Sequence, residues 1–290
     1  MKLIVSDLDG TFLNSKRQVT GENIAALQAA REKGLEIAIA TGRNYGNVLE
    51  LFRGTGIRPH VISNNGAFVY DSEGQLIYAV GAEEKHVRHA WEWLAGRNYF
   101  YALSTDLSVY MPSNAKLLLL EDYQNASERV YTVSPDKLER DIDAFLGMKG
   151  VRFIENFQQL FGQNLTFGNI SAITLDSEKL RQGRDYFEHY QGLTMTIAGR
   201  EIFEMLHPSV SKGNALEHLT ARLAVPLPEV MAIGDHYNDI SMLEKVGVSV
   251  AVDNAEDKVK KICRYISHSN DQNGVAHIVH KLLDGRLRAE

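Results

Sequence analysis

A single cysteine, Cys263, stands in this chain of 290 residues, which leaves no internal disulfide framework and no cysteine-based zinc site. No apolar run approaches the roughly 20 residues that a membrane-spanning helix needs; Leu117 to Leu120 is a short leucine run. Positive charge is also scarce. The 31 Lys and Arg against 37 Asp and Glu leave a net charge of −6, which disfavours a general nucleic-acid surface. It leaves room for a phosphorylated small molecule held by local cations. The first strand follows the N-terminus at once, with no space for a signal peptide, so a cytoplasmic protein is expected. Repeats, low-complexity linkers and long charge runs are absent. So are a Walker-type loop, a Gly-x-Gly-x-x-Gly fingerprint and a His-Glu-x-x-His motif. What remains, at 44% apolar and 23% charged residues, is a globular composition with room for one large domain or two smaller ones.

The most informative stretch present is Lys2 to Leu13. Leu3, Ile4 and Val5 form an apolar run of the kind found in a strand buried on both faces of a parallel sheet. Asp7 ends it and Asp9 follows, so two carboxylates leave the same strand end, and Gly10 lets the backbone turn away. Two acids this close repel unless one holds a proton or a cation lies between them. Mg²⁺ suits such a place, since it is commonly held by one or two carboxylates plus phosphate oxygens. A strand-ending turn uses the same residue types. A calcium loop does not fit, because Thr11 and Gln18 occupy positions that need an acid or amide and a Glu.

Downstream the same edge recurs. Thr20 is a candidate helix cap with Asn23 at the capping-box position, and the helix runs to Gly34. Leu35 to Ala40 reads as the second strand, followed by Thr41-Gly42-Arg43; Tyr45 to Phe52 reads as a helix. His60 to Ser63 reads as the third strand, followed by Asn64-Asn65-Gly66, first of all a hairpin-turn signal. Ala67 to Tyr70 and Leu76 to Tyr78 continue as a hairpin. From about Ala82 the pattern changes: amphipathic helices are expected at Glu83 to Leu94, Pro135 to Leu146 and Glu178 to Tyr190. Strands are expected at 99–104, 108–111, 131–133, 169–175, 193–197 and 201–206, making an α+β segment with a mainly antiparallel sheet. Its aromatics, Tyr99, Phe100, Tyr101 and Tyr110, read chiefly as core, with room for one or two to face a ligand. Ser211-Lys212-Gly213 precedes a helix from Asn214 to Leu223. Strands follow at 230–233, 248–252 and 265–266, the first leading into Gly234-Asp235-His236-Tyr237-Asn238-Asp239, and a helix from Val275 to Leu283 closes the chain.

Asp7-Leu-Asp-Gly-Thr11, Thr41, Ser211-Lys-Gly213 and the Asp235/Asp239 pair, in this order around an insertion, resemble the haloacid-dehalogenase-like hydrolases over the full chain. The insert pattern is similar to a type IIB cap, which points to the Cof-type phosphatases. The resemblance implies a doubly wound, Rossmann-like parallel-sheet α/β core at 1–81 and 199–290, with an inserted α+β cap at 82–198. It implies Asp7 as nucleophile, Asp9 as general acid and base, and Thr41 and Lys212 on the phosphoryl oxygens. It further implies Mg²⁺ held by Asp7, the backbone carbonyl of Asp9 and Asp235, with Asp239 supporting or joining. Leu8, Gly42, Arg43, Asn64, Asn65 and Asn238 are the motif residues expected to line the substrate. Where the family often has Met-Gly before the next Asn, Val252 and Asp253 precede Asn254, so an added acid at the rim is expected.

Charge supports the cation independently. Asp7, Asp9, Asp235 and Asp239 carry about −4, a phosphate monoester adds close to −2, and Lys212 with Arg43 does not balance them. The expected function is a Mg²⁺-dependent phosphatase acting on a small phosphorylated metabolite: a sugar phosphate, a nucleotide or flavin precursor, or pyridoxal phosphate. A phosphomutase shares every core residue and differs in what attacks the aspartyl phosphate. A non-catalytic metabolite-binding protein is disfavoured by the presence of both Asp7 and Asp9.

Overall fold

The computed structural model describes residues 1–126, 128–129, 133–197 and 199–287. The chain forms two compact units, Met1–Ala79 with Val210–Glu290, and Val80–Ser209.

The first unit begins with β1 (Leu3–Ser6), α1 (Gly21–Glu32), β2 (Glu36–Ala40), α2 (Tyr45–Leu51), β3 (His60–Ser63), β4 (Phe68–Tyr70) and β5 (Leu76–Ala79). Short polar side chains start its helices. Thr20 Oγ1 accepts from Asn23 N (3.3 Å), and Asn44 Oδ1 accepts from Asn47 N (2.9 Å). Asn23 forms no capping box; its amide turns inward to the carbonyl of Phe12.

The second unit comprises α3 (Glu84–Ala95), β6 (Phe100–Ser104), β7 (Val109–Pro112), α4 (Ala115–Asn125), α5 (Pro135–Leu146), β8 (Val151–Ile154), β9 (Asn169–Ile173), α6 (Ser177–Glu188), β10 (Thr194–Ile197) and β11 (Ile202–Leu206). Its sheet runs β10-β11-β9-β6-β7-β8, antiparallel except for the β7–β8 pair. Alternation along the strands sorts its core into two layers. Tyr101, Leu103, Ile170, Phe203 and Met205 pack with Val87 and Leu94 of α3 and Phe187 of α6. Phe100, Ala102 and Ile173 pack with Leu119 of α4 and Leu138 and Ile142 of α5. Tyr99, Phe100 and Tyr101 are core residues, while Tyr110 is half-buried against the first layer. The buried carboxylate of Asp122 on α4 is satisfied within this unit. It accepts from Lys179 Nζ (2.5 Å), Thr174 Oγ1 (2.8 Å) and Leu175 N (2.6 Å).

Two features differ from the sequence reading. The second unit ends at Ser209, beyond the expected limit at 198, because β11 pairs with β9 and β10 along its whole length. Helix α4 and strand β8 were not expected. The leucine run of α4 shows no single apolar stripe, and β8 is a short edge strand. The strand expected at 131–133 falls mainly on residues 131 and 132, outside the described residues.

The chain returns to the first unit with α7 (Lys212–Leu223), β12 (Val230–Gly234), α8 (Ile240–Leu243), β13 (Val248–Ala251), α9 (Asp257–Ile262), β14 (Tyr265–Ile266) and α10 (Gly274–Leu283). Its eight-stranded sheet has the order β14-β13-β12-β1-β2-β3-β4-β5. The strands from β14 to β3 are parallel, and β4 and β5 add an antiparallel edge. Leu3, Ile4 and Val5 are fully buried at its centre. The architecture is α/β, a doubly wound sheet that places the ends of β1, β2 and β12 side by side.

Candidate active site

Strand β1 pairs with β12 in the register Ser6↔Ile233, so the chain leaves both strands at one edge. Asp7 is tied there by its own N–H to the carbonyl of Ile233 (2.9 Å). Residues Leu8–Phe12 then make one wide turn, closed by Leu13 N donating to Leu8 O (2.8 Å). Gly10 has φ +81°, and a Cβ on it would lie 2.5 Å from Asp235 Oδ2, so both backbone and space demand glycine. The turn thereby brings Asp7 and Asp235 together.

Lys212 joins them. Ser211 caps α7 by accepting from Asn214 N (3.0 Å), which puts Lys212 in the first turn. Gly66, with φ +108° and no room for a Cβ beside the carbonyl of Ser211, lets the β3–β4 turn close against this point. The buried Lys212 Nζ donates to Asp7 Oδ1 (2.5 Å) and Asp239 Oδ1 (2.6 Å). Burial works against its charge, but Asp239 and Asp7 outweigh it and hold the ammonium above the usual lysine range.

Asp7, Asp235 and Asp239 each bring a carboxylate oxygen within 4.8 Å of the others. Their environments differ. Asp239 is fully buried; Oδ1 accepts from Lys212, and Oδ2 accepts from the backbone N–H groups of Asp235 and His236 (3.0 Å each). Both its oxygens are therefore engaged, and its visible work is to hold the lysine and the turn after β12. Burial pushes the Asp7 carboxyl well up, opposed by Lys212 and reinforced by Asp239 and Asp235. Burial and then Asp239 raise Asp235 to about 6, against the Thr11 hydroxyl, which donates to its Oδ1 (2.5 Å). Three carboxylates facing one ammonium leave a formal −2. A cluster of carboxylate oxygens this close is chemically suited to a divalent cation.

Asp9 lies apart from this triad. Its exposed carboxylate accepts from both ends of the Arg43 guanidinium, Nε to Oδ2 (2.7 Å) and Nη2 to Oδ1 (2.5 Å). Thr41 is buried at the end of β2, and its hydroxyl accepts from Arg43 N (3.1 Å). The Asn64–Gly66 turn joins the antiparallel β3 and β4, and Asn64 and Asn65 both have positive φ. Asn65 Oδ1 accepts from Asn238 Nδ2 (3.1 Å) beside Gly42, linking three expected substrate-side residues. Asn64 is buried, and its Oδ1 has no partner among the described residues. Leu8 departs from expectation, because its side chain is fully buried in the core and only its backbone is left for a ligand. Among the described residues Asp253 does not join the acid cluster; it pairs with Lys260 at 4.0 Å. Thr11 and Asn254 contribute more than the sequence reading assigned them: Thr11 binds Asp235, and Asn254 Nδ2 donates to the carbonyl of Gly10 (2.7 Å). Thr11 lay within the quoted motif, and Asn254 is the Asn that follows Val252 and Asp253, so local signals marked both positions without their roles.

The haloacid dehalogenase-like hydrolase family model matches residues 4–279, and the chain belongs to that family. It is 37% identical to phosphatase YwpJ of Bacillus subtilis, covering 98% of this chain and 100% of the relative. It is 28% identical to the B. subtilis 5-amino-6-(5-phospho-D-ribitylamino)uracil phosphatase YwtE, covering 99% of each. A solved haloacid dehalogenase-like hydrolase from B. subtilis superposes with a TM-score of 0.83 at 36% identity, over 97% of this chain and 100% of that one. Among the described residues, no helix is long and apolar enough to cross a membrane.

Proposed function

We propose that the protein is a Mg²⁺-dependent phosphatase that hydrolyses a small phosphorylated metabolite through an aspartyl phosphate on Asp7. The observation that carries this reading is the buried Lys212 bridge between Asp7 and Asp239 beside Asp235, at the ends of β1 and β12. Asp7, Asp235 and the backbone carbonyl of Asp9 are the groups that fit the cation, and Asp239 supports them. When bound, the cation would supply the positive charge that lets an anionic phosphate approach these acids.

The protein's own groups account for the remaining steps. Lys212 holds one carboxylate oxygen of Asp7, whose backbone N–H is tied to Ile233, leaving the other oxygen to attack phosphorus while the bond to the leaving oxygen breaks. Thr41 and Lys212 stabilise the phosphoryl oxygens. Asp9 gives the leaving oxygen its proton, then takes one from the water that attacks phosphorus and releases Asp7 and inorganic phosphate. A carboxylate gripped by a guanidinium fork donates no proton, so the Arg43–Asp9 pair must open during turnover. Arg43 is then free for the phosphate.

The segment 80–209 is the proposed selector of the leaving group, since every group assigned to the chemistry lies outside it. A ribityl phosphate of the flavin-precursor type belongs among the first substrates to try, because relatives carry that activity in their names. The test is a panel of phosphorylated metabolites with Mg²⁺, scored by released phosphate against an Asp7→Asn control. Wild-type turnover that persists in the control would remove Asp7 from its role.

A further inference from the structure

The turn carrying Asp9 and Gly10 is not held by its own hydrogen bonds alone. Inside it, Asp9 (φ −80°, ψ 123°) and Gly10 (φ 81°, ψ −9°) leave helical geometry, which frees carbonyls for outside partners. Three asparagines supply them, two of them from far along the chain. Asn254 Nδ2 donates to Gly10 O (2.7 Å), Asn23 Nδ2 to Phe12 O (2.9 Å) and Asn270 Nδ2 to Leu13 O (2.9 Å). The opposite ends of two of these amides are also used. Asn254 Oδ1 accepts from Asn270 N (2.8 Å), and Asn23 Oδ1 accepts from Ala276 N (2.9 Å). A short side chain with both a donor and an acceptor is needed at each of these two positions; Asp lacks the donor and Leu lacks both.

We infer that Asn254, backed by Asn270, is a positioning residue that sets the aim of the Asp9 carboxyl by holding the carbonyl of Gly10. The inference rests on the phosphatase reading above. Asn254 acts at the residue next to Asp9, while Asn23 and Asn270 anchor the far end of the turn at Phe12 and Leu13. Asn254 is also exposed, so its side chain can be removed without opening the core. Asp7 is held separately, by Ile233 and Lys212. Loss of the clamp should therefore impair proton delivery by Asp9 more than attack by Asp7.

Leaving-group dependence tests this. For p-nitrophenyl phosphate the departing phenolate needs little protonation, whereas the best primary-alcohol phosphate from the metabolite panel needs a proton from Asp9. Asn254→Ala is expected to lower kcat/KM for the alkyl ester by about 10- to 100-fold and for the nitrophenyl ester by less than about threefold, as for a misaimed general acid. Asn254→Asp, which cannot donate to Gly10 O, should behave like Asn254→Ala. Equal losses on the two esters, or no loss on either in a protein with wild-type circular dichroism, would overturn the inference. A wild-type protein that turns over neither ester with Mg²⁺ would instead overturn the phosphatase reading, and the positioning role with it.

Discussion

Replacing Asp235 by Asn removes one charge from the buried cluster and nearly preserves its shape, because the Asn oxygen still accepts from Thr11. Burial, then Asp239, raises the Asp235 carboxyl from 3.8 to about 6. An acid with a raised folded pKa imposes no penalty below its unfolded pKa, and stability is lost as pH rises through the folded value. For Asp235 the penalty develops between about pH 4 and pH 6 and is complete above that, where a shift of about two units corresponds to about 3 kcal/mol. Asp7 and Asp239 share the same field, so about 1–3 kcal/mol is the recoverable part. At about 2–4 °C per kcal/mol, metal-free Asp235→Asn should melt about 2–12 °C above the wild type at pH 7.5. Near pH 4.5 the gap should shrink to about a third of that. Adding Mg²⁺ should reverse the order, because the wild type gains binding free energy that the variant cannot match. Thermal unfolding followed by circular dichroism in chelator and in Mg²⁺ reads all three. A variant that melts below the wild type in chelator at pH 7.5, or gains as much from Mg²⁺, would refute the reasoning.

Asp7→Asn should abolish phosphate release while raising metal-free stability in the same sense, checked by pairing the turnover assay with a melt. Asp9→Asn should slow turnover by about 10²–10⁴-fold. Its Mg²⁺ affinity, measured by calorimetry, should change less than that of Asp235→Asn; the opposite order would place the Asp9 side chain on the metal. Lys212→Met leaves two buried carboxylates without their cation and should cost about 3 kcal/mol in chelator at neutral pH, read by urea denaturation. Cys263 should label slowly with a thiol reagent at pH 8 until the protein unfolds, since burial, partly offset by Ser249, raises its thiol to about 12.

Much of the catalytic edge was legible in the sequence because strand ends are local features. The run Leu3-Ile4-Val5 must be buried, Asp7 must then leave the sheet, and Thr41 and Asp235 follow other apolar runs in the same way. The cap Thr20 is likewise local, since its hydroxyl meets an N–H three residues on; Asn44, Ser134 and Ser211 cap in the same way without having been singled out. Periodicity placed α3 and α5 almost to the residue. It failed at α4, where consecutive leucines blur the stripe, and at β8, too short to alternate visibly.

What a side chain does at the site depended on partners far along the chain. Sequence alone let Asp239 either bind metal or support it. The structure engages both of its oxygens, one through a lysine 27 residues away. Asp9 was legible as a free acid, but Arg43, 34 residues on, grips its carboxylate. Asn254 meets Gly10 across 244 residues, and β11 belongs to the second unit only because it pairs with β9 and β10. Backbone preferences and hydrophobic periodicity act over a few residues, so they are written in the chain. Which charge finds which, and how deeply both are buried, follows from packing the whole sheet, and that sets both the electrostatics and the chemistry.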